Sequence, residues 1–235
     1  MFFTFFHADN EEKSKAVEKL IEQSTPRPEF FLFVALSTAM ATLGILISSV
    51  PVIIGSMLIA PMLYPILAIA MGLSISDRKL IVRSGATLGQ GIIVAIVSAV
   101  LVALFFIKRS DLTELDLIIR TNAALIDVGI AIVSGLAASF ALTKKSMNES
   151  FSGVAIAAAL VPPLAAVGIS LVQFNLSLFQ DTVVTLVISI VGIILTSLFV
   201  FVLFDFHNKK SLVRKTIETE DKTVKDAIKE ASKIE

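Results

Sequence analysis

Six apolar runs divide the chain, near residues 30–50, 51–74, 85–107, 122–143, 153–173 and 182–205. Each is close to the ~20 residues that a helix needs to cross a bilayer. Polar segments separate them, except between the first two. There "SSVP" at 48–51 predicts a turn, because Pro51 suits the first turn of a new helix. The alternative is one long helix through 30–74. Before the first run, "NEEKSKAVEKLIEQS" at 10–24 places Ala16, Val17, Leu20 and Ile21 on one face. That pattern predicts an amphipathic helix, ended by "TPRP" and lying along a membrane surface, with Phe2, Phe3, Phe5 and Phe6 anchoring its start. After the last run, Ile217, Val224, Ile228 and Ala231 form a weak helical stripe in a charged tail. A solvated helix and a short oligomer-forming coil both fit it.

Composition agrees with this plan. Of 235 residues, 55% are hydrophobic and only 17% charged, with a mean hydropathy of +0.87. A soluble domain of this size could not bury so much apolar surface, so the expectation is an all-α integral membrane protein. The expected organisation has five parts. Residues 1–29 form a cytoplasmic arm with an interfacial helix, and 30–107 a first group of three helices. An extracytoplasmic loop follows at 108–121, a second group of three at 122–205, and a charged cytoplasmic tail at 206–235. With all six runs crossing, 17 Lys and Arg residues fall on one side and only Lys108, Arg109 and Arg120 on the other. The positive-inside bias then puts both termini in the cytoplasm of a multi-pass protein of the cell membrane. The start "MFFTFFHADNEEK" lacks the basic onset and apolar length of a signal peptide.

Charge and rare residues exclude several functions. Lys+Arg and Asp+Glu both number 20, which gives no basic footprint for a nucleic acid. The absence of cysteine excludes thiolate metal sites and cysteine nucleophiles. His7 and His207 both lie outside the apolar runs, so no histidine metal cluster is expected. No GxxxxGK[ST] or HExxH occurs, so neither ATP-driven transport nor a zinc hydrolase is expected, and no cofactor is implied.

The second and fifth runs resemble one another. "APMLYPILAIAMGLS" and "ALVPPLAAVGISL" both hold paired prolines at mid-span, followed by small residues. The chain therefore reads as three plus three, with a Pro-broken helix second in each half. An odd number of crossings per half makes the halves inverted repeats, the arrangement that marks a transport site at mid-membrane. A proline inside a helix leaves the carbonyl of i−4 without its partner. Here those carbonyls would belong to Met57 and Pro61, opposite Pro61 and Pro65, and to Ala158 and Ala159, opposite Pro162 and Pro163. They could cradle a cation, or the half-helices after the breaks could offer N–H groups to an anion. Two structural kinks satisfied by neighbouring groups are the plain alternative.

Asp127 is the one acid inside an otherwise apolar run, about 8 Å from its start at 1.5 Å per residue. An acid at mid-helix costs about 3 kcal/mol on insertion scales, so it usually faces the bundle interior. Asp127, Ala131, Ser134 and Ala138 share one small and polar face, while Ile126, Ile130, Val133 and Phe140 share the other. Asn122 lies near the mouth. Asp127 reads as a cation or proton ligand, or as an interfacial acid that caps its helix or pairs with Arg120. Ser56, one residue before Met57, and Gln90 in the third run could line the same cavity. Gly85 and Gly89 make a GxxxG, which permits close helix contact and is in keeping with a homo-oligomer.

Three blocks carry a family resemblance. "GSMLIAPMLYPILAIAMGLSISD", "NAALIDVGIAIVSGLAASFAL" and "SGVAIAAALVPPLAAVGISL" resemble, in order, three blocks of an uncharacterised family of bacterial and archaeal membrane proteins, domain of unknown function 389. The resemblance covers about residues 30–205. It implies a polytopic membrane protein and draws attention to Ser56, Pro61, Pro65, Asn122, Asp127, Pro162 and Pro163. It implies no substrate. Longer members carry a soluble N-terminal domain, so nothing assigned to that domain carries over to this short arm. The expected function is a channel or secondary transporter for a small ion or solute, within the lipid bilayer and without enzymatic activity. A structural or regulatory membrane subunit is the alternative.

Overall fold

A computed structural model describes residues 9–106, 124–143, 160–206 and 209–231. Asn122, Ala158 and Ala159 lie outside the described residues, as do the 108–121 loop and Arg120. Among the described residues the fold is all-helical, with nine helices. They are α1 (Asn10–Gln23), α2 (Pro28–Leu46), α3 (Val50–Met57), α4 (Leu63–Ser74), α5 (Arg78–Phe106), α6 (Ala124–Thr143), α7 (Val161–Val172), α8 (Leu176–Leu203) and α9 (Lys210–Ala231).

Short polar residues set the helix ends. Asp9 caps α1 in a capping box with Glu12. Pro28 opens α2, where its missing N–H costs nothing. The turn expected at "SSVP" is present: Ser48 has φ 54°, and the Ser49 N–H closes on the Gly44 carbonyl at 2.8 Å. There is thus no continuous helix through 30–74. Gly44 is required there, because a Cβ would lie 2.8 Å from Ile53 Cγ1 across the hairpin.

Two later turns are built alike. After α4, Ser76 has φ 54°, the Asp77 N–H bonds the Gly72 carbonyl at 2.9 Å, and Asp77 Oδ1 accepts the Leu80 N–H at 3.1 Å. After α7, Phe174 has φ 53°, the Asn175 N–H bonds the Ser170 carbonyl at 3.2 Å, and Asn175 Oδ1 accepts the Leu178 N–H at 3.1 Å. These caps explain why α5 and α8 begin at Arg78 and Leu176, ahead of the apolar runs placed at 85 and 182. A side-chain oxygen in the turn closes the first helical N–H groups before the hydrophobic stretch starts.

Three helices, α2, α5 and α8, are long and apolar enough to cross a membrane by length and composition. The apolar helices α4, α6 and α7 are packed among them. α2 runs beside α5 in the same direction, with Phe30 near Gly91 and Ser98 Oγ donating to the Ala35 carbonyl at 2.7 Å. α6 runs beside α8 in the same way: Ala131 meets Gly192, Gly135 meets Ile193 and Thr196, and the Phe140 and Phe204 rings meet edge-on at 5.5 Å. α4 packs on α5 and α8, and α7 on α5, α8 and α2. Small residues make these approaches possible, as expected where dispersion and not water drives packing.

The N-terminal helix turns its apolar face into the protein. Ala16, Val17, Leu20 and Ile21 are buried in one core with Phe206, Val213 and Ile217, and α1 packs on α9, α4 and α6. The face read as lipid-seeking is covered by protein.

Gly168 is the tightest of these contacts. A Cβ there would sit 2.3 Å from Ala99 Cβ and 3.1 Å from backbone atoms of α5. Gly168→Ala is expected to destabilise the protein by roughly 1–3 kcal/mol, the usual cost of overpacking. Gly129→Ala, with nothing within 4 Å of the added Cβ, should leave stability close to that of the parent. Thermal unfolding of the two variants in detergent, followed by circular dichroism, makes the comparison.

Candidate functional site

The chain from Ser56 to Pro65 is interrupted, and its polar groups are partly closed. α3 stops at Met57, residues 58–62 are not helical, and α4 starts at Leu63. Buried Ser56 lies in the last turn of α3, just before this break. Its hydroxyl donates to the Ile53 carbonyl at 2.6 Å, and its own carbonyl accepts from Ser37 Oγ of α2 at 2.7 Å and from the Ile59 N–H at 3.2 Å. The Met57 carbonyl, whose helical partner would be the N–H that Pro61 lacks, receives no bond among the described residues. One carbonyl at the break is therefore sealed by protein and the next is open. Both Met57 and Pro61 are half-buried.

The other prolines do something different from what a kink would require. Pro65 is the third residue of α4, and Pro162 and Pro163 are the second and third of α7. The first N–H groups of a helix have no intrahelical acceptor in any case. At these positions proline breaks no helical bond. It deletes donors that apolar surroundings could not satisfy. The double proline leaves Val161 as the sole N–H donor in the first three residues of α7, whereas α4 keeps those of Leu63 and Tyr64. The two helix starts are unequal: α4 offers more to an anion than α7 does.

Asp127 is half-buried in the first turn of α6, where its Oδ2 accepts a hydrogen bond from Thr185 Oγ1 of α8 at 3.3 Å. In a helical hairpin, residues equally far from the turn share a depth. Thr185 and Pro163 are equally far from Phe174, so the carboxylate lies level with the start of α7. Thr87 and Pro65 stand in the same relation to Ser76. Ser134, on the Asp127 face, is buried. Ser56, Met57, Pro61 and Pro65 thus gather at one break, and Asp127 and Ser134 lie on α6 against α8. Of the site residues expected in the fifth run, Pro162 and Pro163 alone are described.

The charged end of the protein holds residues that the apolar reading passed over. Asp77 is fully buried and accepts from Arg214 Nε of α9 at 2.9 Å as well as from the Leu80 N–H. Arg83 bridges Asp221 Oδ1 of α9 at 3.0 Å and Thr25 Oγ1 at 3.1 Å. Arg27 pairs with Glu220 at 2.6 Å, and Lys210 Nζ donates to the Ser76 carbonyl at 2.9 Å. Lys209 reaches Asn10 and Ser14 of α1. The N-terminal arm, the turn at 75–77 and the tail therefore meet at one end, which the loop charges already grouped on one side. The available signal was "SDRK", an acid set directly before a basic helix start.

Burial pushes the Asp77 carboxyl up, but the Arg214 guanidinium and the Leu80 N–H outweigh it and hold the group below its ordinary value of 3.8. A carboxyl with a depressed folded-state value adds stability that is complete above its unfolded value and lost as pH falls through the folded one. Docking of α9 should therefore hold constant above pH 3.8 and weaken as the solution is acidified below it. Asp77→Asn should remove the part of that dependence that Asp77 contributes and leave α9 more open at neutral pH. Amide hydrogen exchange over 210–227 as a function of pH reads both.

Comparison with known proteins adds one family and one relative. The family described as Domain of unknown function (DUF389) matches residues 57–214, from the end of α3 into α9. The chain is also similar to an uncharacterized protein of Methanocaldococcus jannaschii, 27% identical over 207 residues. That match covers 84% of this chain and 64% of the relative, so the chain spans just under two thirds of the relative's length. No solved structure matches it.

Proposed function

Since the chain belongs to the DUF389 family, whose description assigns no activity, we propose from its own residues that it passes a small ion or solute across the cell membrane as a channel or secondary transporter. Six crossings in two inverted halves carry the path, and both termini are cytoplasmic. The observation that supports this most directly is the pairing of α4 and α7. The spacing that takes Asp77 to Asn175 also takes Pro65 to Pro163 and the turn residue Ser76 to Phe174. It takes buried Leu80, Ser84, Leu88, Ala95 and Ala99 of α5 to buried Leu178, Thr182, Leu186, Ile193 and Ser197 of α8. Each half-helix has 12 residues, about 18 Å at 1.5 Å per residue. That is little more than half of the ~30 Å hydrocarbon layer, so in opposed halves both would begin near mid-membrane. Backbone interrupted at that depth needs protein or a wet cavity. The Met57 carbonyl and the Asp127 carboxylate supply the polar groups of the path.

The test is flux. Purified chain in sealed vesicles should admit rubidium or chloride faster than protein-free vesicles, and Asp127→Asn should change the rate or the selectivity severalfold. Asp127→Asn indistinguishable from the parent would remove the carboxylate from the path. No flux of either ion or of glycerol would favour the second reading, a regulatory or structural membrane subunit. Its support is the ion-paired docking of α9 on the turn between α4 and α5.

A further inference from the structure

One outer face of α5 is unlike the rest of the apolar surface. Ala86, Gly89, Gln90, Ile93 and Val97 are exposed along it, with Gly85 beside them half-buried. A Cβ added at Gly85 or Gly89 would meet nothing within 4 Å, whereas at Gly91 it would come within 3 Å of Met62 and at Gly168 within 3 Å of Ala99. The GxxxG of α5 is therefore not used inside the protomer. Gln90 makes no hydrogen bond among the described residues. It lies seven residues beyond Arg83 in an apolar helix, about 10 Å further along the axis.

The other half of the chain supplies the comparison. At the spacing that relates Asp77 to Asn175, Gly85, Ala86, Gly89, Gln90, Ile93 and Val97 of α5 correspond to Val183, Val184, Val187, Ile188, Val191 and Leu195 of α8. Val184, Val187, Val191 and Leu195 are exposed there. The α8 face is uniformly aliphatic, as a surface toward acyl chains should be. The α5 face replaces four of the six residues by two glycines, an alanine and an amide. Lipid gains nothing from such a face, and an unpartnered amide in hydrocarbon is costly. An amide both donates and accepts, so across a two-fold axis it satisfies itself, and the glycines allow the backbones to approach.

We propose that this face is the contact surface for a second copy of the chain, with two α5 helices crossing at Gly85 and Gly89 and Gln90 bonded to Gln90 of the partner subunit. The inference rests on the membrane reading above. Because the chain has no cysteine, single cysteines report on it directly. Ala86→Cys and Ile93→Cys flank the crossing on α5, and Val184→Cys and Val191→Cys are their counterparts on α8. With the full chain in native membranes, mild oxidation should convert the α5 variants to disulfide-linked dimers severalfold more than the α8 variants. Adding Gly89→Leu, which has open space within its own protomer, should abolish the cross-link without removing the protein from the membrane. Equal cross-linking of α5 and α8, no α5 dimer, or an α5 adduct of another size would overturn the proposal in favour of lipid or a different partner. Carbonate washing separates the two levels: a chain released by it overturns the membrane reading, while a retained chain without α5 dimers overturns this contact alone.

Discussion

A backbone polar group out of reach of water must find a partner, and this constraint decides where helices start and stop here. At the two matched turns the answer is a side-chain oxygen, from Asp77 in one and Asn175 in the other. At the first break it is the Ser37 hydroxyl, which reaches from α2 to the Ser56 carbonyl. At the starts of α4 and α7 it is proline, which removes the donor. Buried hydroxyls elsewhere mostly return to their own helix: Thr42 donates to the Thr38 carbonyl, Ser139 to that of Gly135 and Thr182 to that of Leu178. Among the described residues 16 polar ones are buried, which a chain this apolar can hold because so many have so local a solution.

Against that background the Met57 carbonyl stands out. The break around it is closed on one side by Ser37 and Ser56 and left open one residue later. Asp127 is similarly lightly held, by one hydrogen bond of 3.3 Å from Thr185. These are groups that, on the transport reading proposed above, an ion or solute could engage without first displacing a strong internal bond. Most of the remaining polar interior is engaged in short bonds within or between helices.

The charged end follows a different logic. Its ion pairs cross between segments far apart in sequence, and Asp77 joins two tasks: it caps α5 and anchors Arg214. The turn that follows the half-helix α4 is thereby tied to the tail. Pairs on the exposed rim, such as Lys79 with Asp221 at 3.8 Å, add little to this by themselves.

The apolar runs, the turn at "SSVP", the break in the second run and the small-residue face of α6 were all legible in the chain, because each depends on local composition or on proline. A membrane-crossing helix needs apolar length, and a proline in a helix interior removes a backbone hydrogen bond. The partnerships were not legible. The face of α1 reads as lipid-seeking, and only its packing on α9, α4 and α6 buries Val17 and Leu20 in one core with Val213 and Ile217. The prolines of α4 and α7 look like mid-helix kinks until the helix starts are placed, and then they prove to remove donors instead of freeing acceptors. Asp127 offered capping, pairing with Arg120 or facing the interior, and the contact with Thr185 depends on α6 lying along α8. Sequence sets what each segment can tolerate. Which groups are left unpaired depends on which helices lie beside them, because a hydrogen bond or a close contact needs two partners brought together from distant parts of the chain.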